Sequence, residues 1–150
     1  MRISARTDYA LRVLVELAAA EDRPLTCEGI AQAQRIPFRF LKAVVRDLRL
    51  AGLVRSRRGC EGGYWLGRPA AETTLADVVR AVDGVLLTVN DETPEPEAYP
   101  EPTDGLGAFW LALGARIEEL FASVTVADLL DGTAAPVLSG VMSLSLPSRS

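Results

Sequence analysis

Hydrophobic and polar positions separate most sharply over residues 37–50. At about 100° per residue, Leu41, Val44, Val45 and Leu48 fall on one face of a helix. Arg39, Lys42, Arg46 and Arg49 fall opposite them in a stripe roughly 80° wide. Pro37 suits the first turn, where no backbone N–H is needed. Ala51-Gly52 ends the helix, glycine supplying the left-handed cap. Upstream, Tyr9, Val13, Leu14 and Leu17 predict a helix from an N-cap at Ser4 to about Ala20, with Arg6 and Arg12 on its surface. Thr26 caps a second helix that turns Ile30 and Ala31 inward, and Gly29 stands where a capping-box glutamate would reach back. Gln32, Gln34 and Arg35 then lead into a turn, so helix, turn and basic helix follow one another.

Downstream of Gly52 the period changes. Residues 53–56 and 64–66 are short β-like runs around the tip Arg57-Arg58-Gly59-Cys60-Glu61-Gly62-Gly63, which predicts a hairpin rich in glycine and flanked by arginines. Leu75, Val78, Val79 and Val82 form the apolar face of a short helix capped at Thr74, with Asp77 favouring its dipole and Gly84 ending it. Residues 90–105 are acidic and proline-rich, and are expected to form a disordered loop. Helical periodicity returns through Leu106, Phe109, Trp110, Leu113, Ile117, Leu120, Phe121 and Val124. That stripe is wide for a lone helix and suits an isologous interface with a second copy of the chain. Thr125 opens one more helical turn through Leu130, and beyond Gly132 no element is assigned. The organisation expected is mainly α with a small β wing: a winged helix-turn-helix over 1–84, an acidic loop over 85–105, a dimerisation helix and helical turn over 106–132, and a tail over 133–150.

Charge sharpens this picture. The net charge of −4 hides a split: residues 1–70 carry 13 Lys and Arg against 7 Asp and Glu, net +6, and residues 71–150 carry 3 against 13, net −10. The basic half therefore suits contact with nucleic acid, with the acidic half turned away. A basic helix followed by a basic hairpin is what a winged helix-turn-helix needs to enter a groove and touch flanking phosphates. The chain has no histidine and only two cysteines, Cys27 and Cys60, too few for a disulfide framework or a metal cluster. With no phosphate-binding glycine loop and no zinc motif either, an enzyme is not expected. No apolar run is long enough to span a membrane and the first residues lack a signal-peptide pattern, so the chain reads as cytoplasmic.

These residues meet a known pattern. Ala10-Leu11-Arg12, Phe40-Leu41, Leu48-Arg49, Ala51-Gly52-Leu53-Val54, Arg58-Gly59, Gly62-Gly63-Tyr64, Arg68-Pro69 and Thr74-Leu75-Ala76-Asp77-Val78 stand in the order of a winged-helix family. The chain resembles the regulators of the IscR, NsrR and CymR type, the Rrf2 family, closely over residues 1–84 and more loosely beyond. The resemblance implies a homodimer, most often a repressor, on pseudo-palindromic double-stranded DNA. Arg39, Lys42 and Arg46 match recognition-helix positions; Arg58, Gly59, Gly62 and Gly63 match the wing. With the stripe and hairpin, the candidate DNA contacts are Thr26, Arg39, Lys42, Arg46, Arg49, Arg57, Arg58, Gly59, Gly62, Gly63 and Tyr64. Many members hold an iron–sulfur cluster on three cysteines ahead of the dimer helix. Here that segment has none, and Asp8, at a position where some members supply a ligand, cannot hold a cluster alone. No cofactor is expected, and the cluster-lacking branch, which answers to a protein, a metabolite or thiol oxidation, is the nearer analogy. Trp65 stands where the family usually places a basic residue.

Two alternatives stay open at this level. The winged helix could instead dock on a protein partner, as the overall acidity and Trp65 suggest. Cys60, beside Arg57 and Arg58, could act as a thiol redox switch, since nearby positive charge lowers a thiol pKa.

Overall fold

The structure, a computed structural model, describes residues 2–60 and 62–145. Its helices are α1 (Ala5–Ala20), α2 (Cys27–Gln34), α3 (Phe38–Leu50), α4 (Leu75–Val82), α5 (Gly105–Ala122), α6 (Val126–Asp131) and α7 (Ala134–Ser145). Strands β1 (Val54–Arg57) and β2 (Gly63–Leu66) lie between α3 and α4. The predicted caps form: Ser4 Oγ accepts from the Thr7 N–H at 3.0 Å, and Thr26 Oγ1 accepts from the Gly29 N–H at 3.0 Å. Thr74 and Asp77 complete a reciprocal capping box, and so do Thr125 and Asp128.

One core gathers the apolar faces that the periodicity predicts. Val13, Leu14 and Leu17 of α1 meet Ile30 of α2, Leu41, Val44, Val45 and Leu48 of α3, and Val78 and Val82 of α4. The buried Thr7 hydroxyl donates to Asp83 Oδ2 at 2.6 Å, and the Ser4 hydroxyl donates to the same carboxylate. The start of α1 is thereby fastened to the end of α4. Strands β1 and β2 pair antiparallel with Val54 opposite Leu66 and Arg57 opposite Gly63. Leu25 adds a single antiparallel bridge to this hairpin: its N–H donates to the Tyr64 carbonyl at 3.1 Å and its carbonyl accepts from the Tyr64 N–H at 2.8 Å. The wing is thus bound to the entry of α2.

The C-terminal part differs from the expectation in three ways. First, Val126 of α6, which the sequence reads only as part of one more helical turn, is fully buried in the same core as α1 to α4. A bridge between Thr74 and Thr125 makes this join, with the Leu75 N–H donating to the Val124 carbonyl at 3.0 Å and the Val126 N–H to the Thr73 carbonyl at 2.9 Å. Second, the acidic stretch expected to be a disordered loop holds a 3-10 turn at Pro96–Ala98, and Gly107 of α5 is buried beside it. Third, the tail to which no element was assigned carries α7; residues 146–150 lie outside the described residues. No helix among the described residues is long and apolar enough to cross a membrane.

Candidate nucleic-acid interface

Helix α3 begins directly after Pro37, whose N-cap position bears no side-chain cap bond. Its buried residues are the predicted four, Leu41, Val44, Val45 and Leu48, while Arg39, Lys42, Arg46 and Arg49 are exposed. Between α3 and the wing runs a groove of about 520 Å3. Lys42, Arg46 and Arg49 line it from the helix, and Ser56, Arg57 and Arg58 from the hairpin. The structure therefore brings the two predicted basic elements to one concavity.

Ion pairing separates these cations from the arginines of α1, α4 and α5 and from Arg68. Both arginines of α1 have partners: Arg6 pairs with Asp47, and Arg12 with Asp8 at 2.6 Å while also donating to the Gln34 carbonyl at 3.1 Å. Arg68 pairs with Asp77 at 2.8 Å, Arg80 with Glu118 at 3.0 Å, and Arg116 with Glu119 at 2.9 Å. Among the described residues no ion pair engages Arg39, Lys42, Arg46, Arg49, Arg57 or Arg58. Asp47, the acid within α3, is turned to Arg6 and does not neutralise the stripe. Like charges gathered at one groove without counter-charges repel one another, and an external polyanion relieves that repulsion. Gln34 is also engaged, its amide donating to Glu16 Oε1 at 2.6 Å, so Arg6, Arg12 and Gln34 serve the fold.

The wing residues divide by role. Gly62 is packed so tightly that a Cβ there would lie 2.3 Å from the Arg57 carbonyl oxygen; Gly63 has φ +146 and would press a Cβ to 2.9 Å from Pro24 Cβ. Both glycines shape the hairpin that carries Arg57 and Arg58. Tyr64 and Cys27, at the start of α2, both line the groove. Burial pushes the Cys27 thiol up from its ordinary value, and burial together with that thiol does the same to the Tyr64 hydroxyl. Cys27 belongs to the core, and Cys60 is exposed at the wing tip. Thr26 spends its oxygen on the α2 cap. Trp65 is half-buried: its indole N–H donates to the Asp22 carbonyl at 2.9 Å and Arg55 lies over its ring at 5.6 Å. It fixes the wing to the turn after α1 instead of offering a free docking surface.

The sequence reading missed two aromatic side chains on α3. Phe38 and Phe40 are 42% and 46% exposed, with Lys42 Nζ 5.4 Å from the Phe38 ring and the Arg39 guanidinium 4.6 Å from the Phe40 ring. The signal for Phe38 was present, because it falls within about 40° of Lys42 on the helical count and so extends the basic stripe to the first turn.

Of the residues expected to pair two subunits, Leu106 and Phe109 are exposed, Trp110, Leu113, Ile117, Leu120 and Phe121 are half-buried, and Val124 is buried within the chain. Leu111, absent from that expectation, is exposed as well. Phe109 and Trp110 meet edge to face at 5.1 Å. A groove of about 510 Å3 runs between α4, residues 84–94 and α5, with Leu86, Leu87, Trp110 and Leu111 among its walls.

The chain and its fold have counterparts among known proteins. The Rrf2 family model, described as an iron-dependent transcriptional regulator, matches residues 3–132. An HTH-type transcriptional regulator of Mycobacterium tuberculosis is 42% identical over 133 residues, covering 88% of this chain and 83% of the relative. The HTH-type transcriptional regulator CymR of Bacillus subtilis is 32% identical over 134 residues, covering 89% and 92%. The solved structure of CymR, the global cysteine regulator of B. subtilis, superposes with a TM-score of 0.69 at 30% identity, covering 89% of this chain and 98% of CymR.

Proposed function

Because the chain belongs to the Rrf2 family of transcriptional regulators, we propose that it acts in the cytoplasm as a homodimer that represses transcription from a pseudo-palindromic operator. Each subunit lays α3 in the major groove and the wing on the flanking backbone or minor groove. One observation carries this reading: Lys42, Arg46 and Arg49 of α3 and Arg57 and Arg58 of the wing face a common groove with no carboxylate partner among the described residues, while the arginines of α1, α4 and α5 have theirs. Arg and Lys on α3 would read guanine edges, each good bidentate pair giving about 1–3 kcal/mol of discrimination. Arg57 and Arg58 would add affinity that falls with salt. The exposed apolar residues of α5 supply the face on which a second subunit sits. Two half-sites about one helical turn apart then meet the two α3 helices. Repression follows from the family resemblance and needs only occupancy of the operator.

The family's description names iron, and the donor set of this chain does not fit it. Cys27 is within the core, Cys60 is on the wing tip, and no three His, Cys, Asp or Glu residues come together as a metal site among the described residues. The signal is therefore taken to be a protein, a small molecule or oxidation of the exposed Cys60 thiol.

The test is selection of binding sites from a randomised duplex pool, followed by salt titration of the best site with wild type and Arg46→Ala. Nanomolar binding to a two-fold symmetric site, steeply weakened by salt and by the substitution, is expected. An unenriched pool, or weak binding blind to Arg46→Ala, would overturn the operator reading.

A further inference from the structure

Phe38 sits at the first turn of α3 with 42% of its surface exposed, beside cations that have no carboxylate partner among the described residues. A single exposed apolar side chain usually needs no explanation. Three features of this one call for it. Its helical position lies within about 20–80° of Lys42, Arg46 and Arg49, so it belongs to the face that carries the basic stripe. Phe40 lies about 200° around the helix from Phe38, and Arg39 covers its ring. Lys42 Nζ stands 5.4 Å from the Phe38 ring, one turn along, and helps to hold the ring on that face. Finally, Phe38 follows Pro37 at the N-terminal end of the helix, the end whose residues reach base edges when such a helix enters the major groove.

A phenyl ring has nothing to offer a phosphate. In the major groove the apolar feature of a base pair is the C5-methyl group of thymine. We infer that Phe38 is a specificity-determining residue that packs its ring on a thymine methyl in each half-site, while Lys42 draws in the adjacent polar edge or phosphate. This inference rests on the reading that α3 enters the major groove.

The experiment uses the full chain and the best duplex from the random pool. Each thymine of the half-site is replaced singly by deoxyuridine, which removes the methyl group and leaves the hydrogen-bonding edge intact. For wild type, one position per half-site should weaken binding about threefold to tenfold. Phe38→Ala should bind the thymine duplex weaker by a similar factor and no longer distinguish thymine from deoxyuridine at that position. Arg46→Ala should lose affinity overall and keep the distinction. Wild type indifferent to every replacement, or Phe38→Ala as sensitive as wild type, overturns the role of Phe38 and leaves the operator reading standing. A pool that yields no site overturns both.

Discussion

Helices α3 and α5 each leave one face uncovered, and what they leave uncovered is opposite in kind. On α3 the apolar residues are buried and the exposed stripe is cationic, with no carboxylate partner for Arg39, Lys42, Arg46 or Arg49 among the described residues. On α5 the charges are satisfied, Arg116 by Glu119 and Glu118 by Arg80, while Leu106, Phe109 and Leu111 face solvent. One helix lacks counter-charge and the other lacks apolar cover. The missing partners therefore obey different physics. Attraction to a polyanion reaches several ångströms and is screened by salt; burial of apolar surface acts at contact and is little affected by moderate salt.

The largest expected effect breaks the α3 side of the contrast. Arg46→Glu should weaken operator binding about 100-fold or more, losing a base pair contact and adding repulsion from phosphates. Arg116→Glu on α5 should leave operator affinity at low occupancy unchanged. Fluorescence anisotropy on the selected duplex measures both, and equal losses would erase the distinction between paired and unpaired arginines.

The α5 side is tested by Leu106→Glu combined with Phe109→Glu. Sedimentation should show a monomer where wild type is a dimer, and affinity for the two-half-site duplex should fall about tenfold as avidity is lost. A dimer that survives the substitutions would move the subunit contact elsewhere. Raising salt should imitate the Arg46 variant and not this one.

Asp77 of α4 links the wing to α5, since it pairs with Arg68 at the exit of the wing and with Arg80, which reaches Glu118 of α5. Burial acts to raise its pKa, but the Thr74 N–H and hydroxyl and the Arg68 guanidinium outweigh that and hold the carboxyl below its ordinary value of 3.8. A lowered folded pKa means stability that is present above 3.8 and lost as pH falls through the lowered value. Asp77→Ala should therefore cost about 1 kcal/mol at pH 7 in urea unfolding. The gap from wild type should narrow below pH 3.8; a gap constant to pH 2 would show that charge plays no part.

The smallest expected effect belongs to the wing. Arg58→Ala should weaken binding to all duplexes alike, a few-fold, and reduce the slope of log affinity against log salt by about one. A change of preferred sequence instead would give Arg58 a base to read.

Local physics made much of this legible in advance. Ser4, Thr26, Thr74 and Thr125 cap helices because hydroxyls before apolar periodic runs do so, and Gly52 and Gly84 turn at φ 78 and 81 after the last apolar residue of theirs. The basic stripe was readable for the same reason, being a property of a single helix. What stayed hidden depends on residues far apart in sequence. Nothing near Arg6 or Arg12 in the chain says that Asp47 and the Gln34 carbonyl will claim them, and nothing near Trp65 points to the Asp22 carbonyl. Leu25 joined to Tyr64 is a one-residue strand, too short for any alternation to announce. Val126 reads as part of one more helical turn, and only the packing of α6 on α1 makes it core.

Placing Val126 in the same core as Ala10, Leu14, Leu41 and Leu48 also sets an order of events during synthesis. A chain leaves the ribosome from its N-terminus, and its units fold as they become complete. The core behind the reading helix lacks a member until residue 126 has emerged, by which time the acidic stretch and all of α5 have emerged too. A nascent chain therefore holds no finished DNA-reading unit before it holds the helix proposed to recruit its twin.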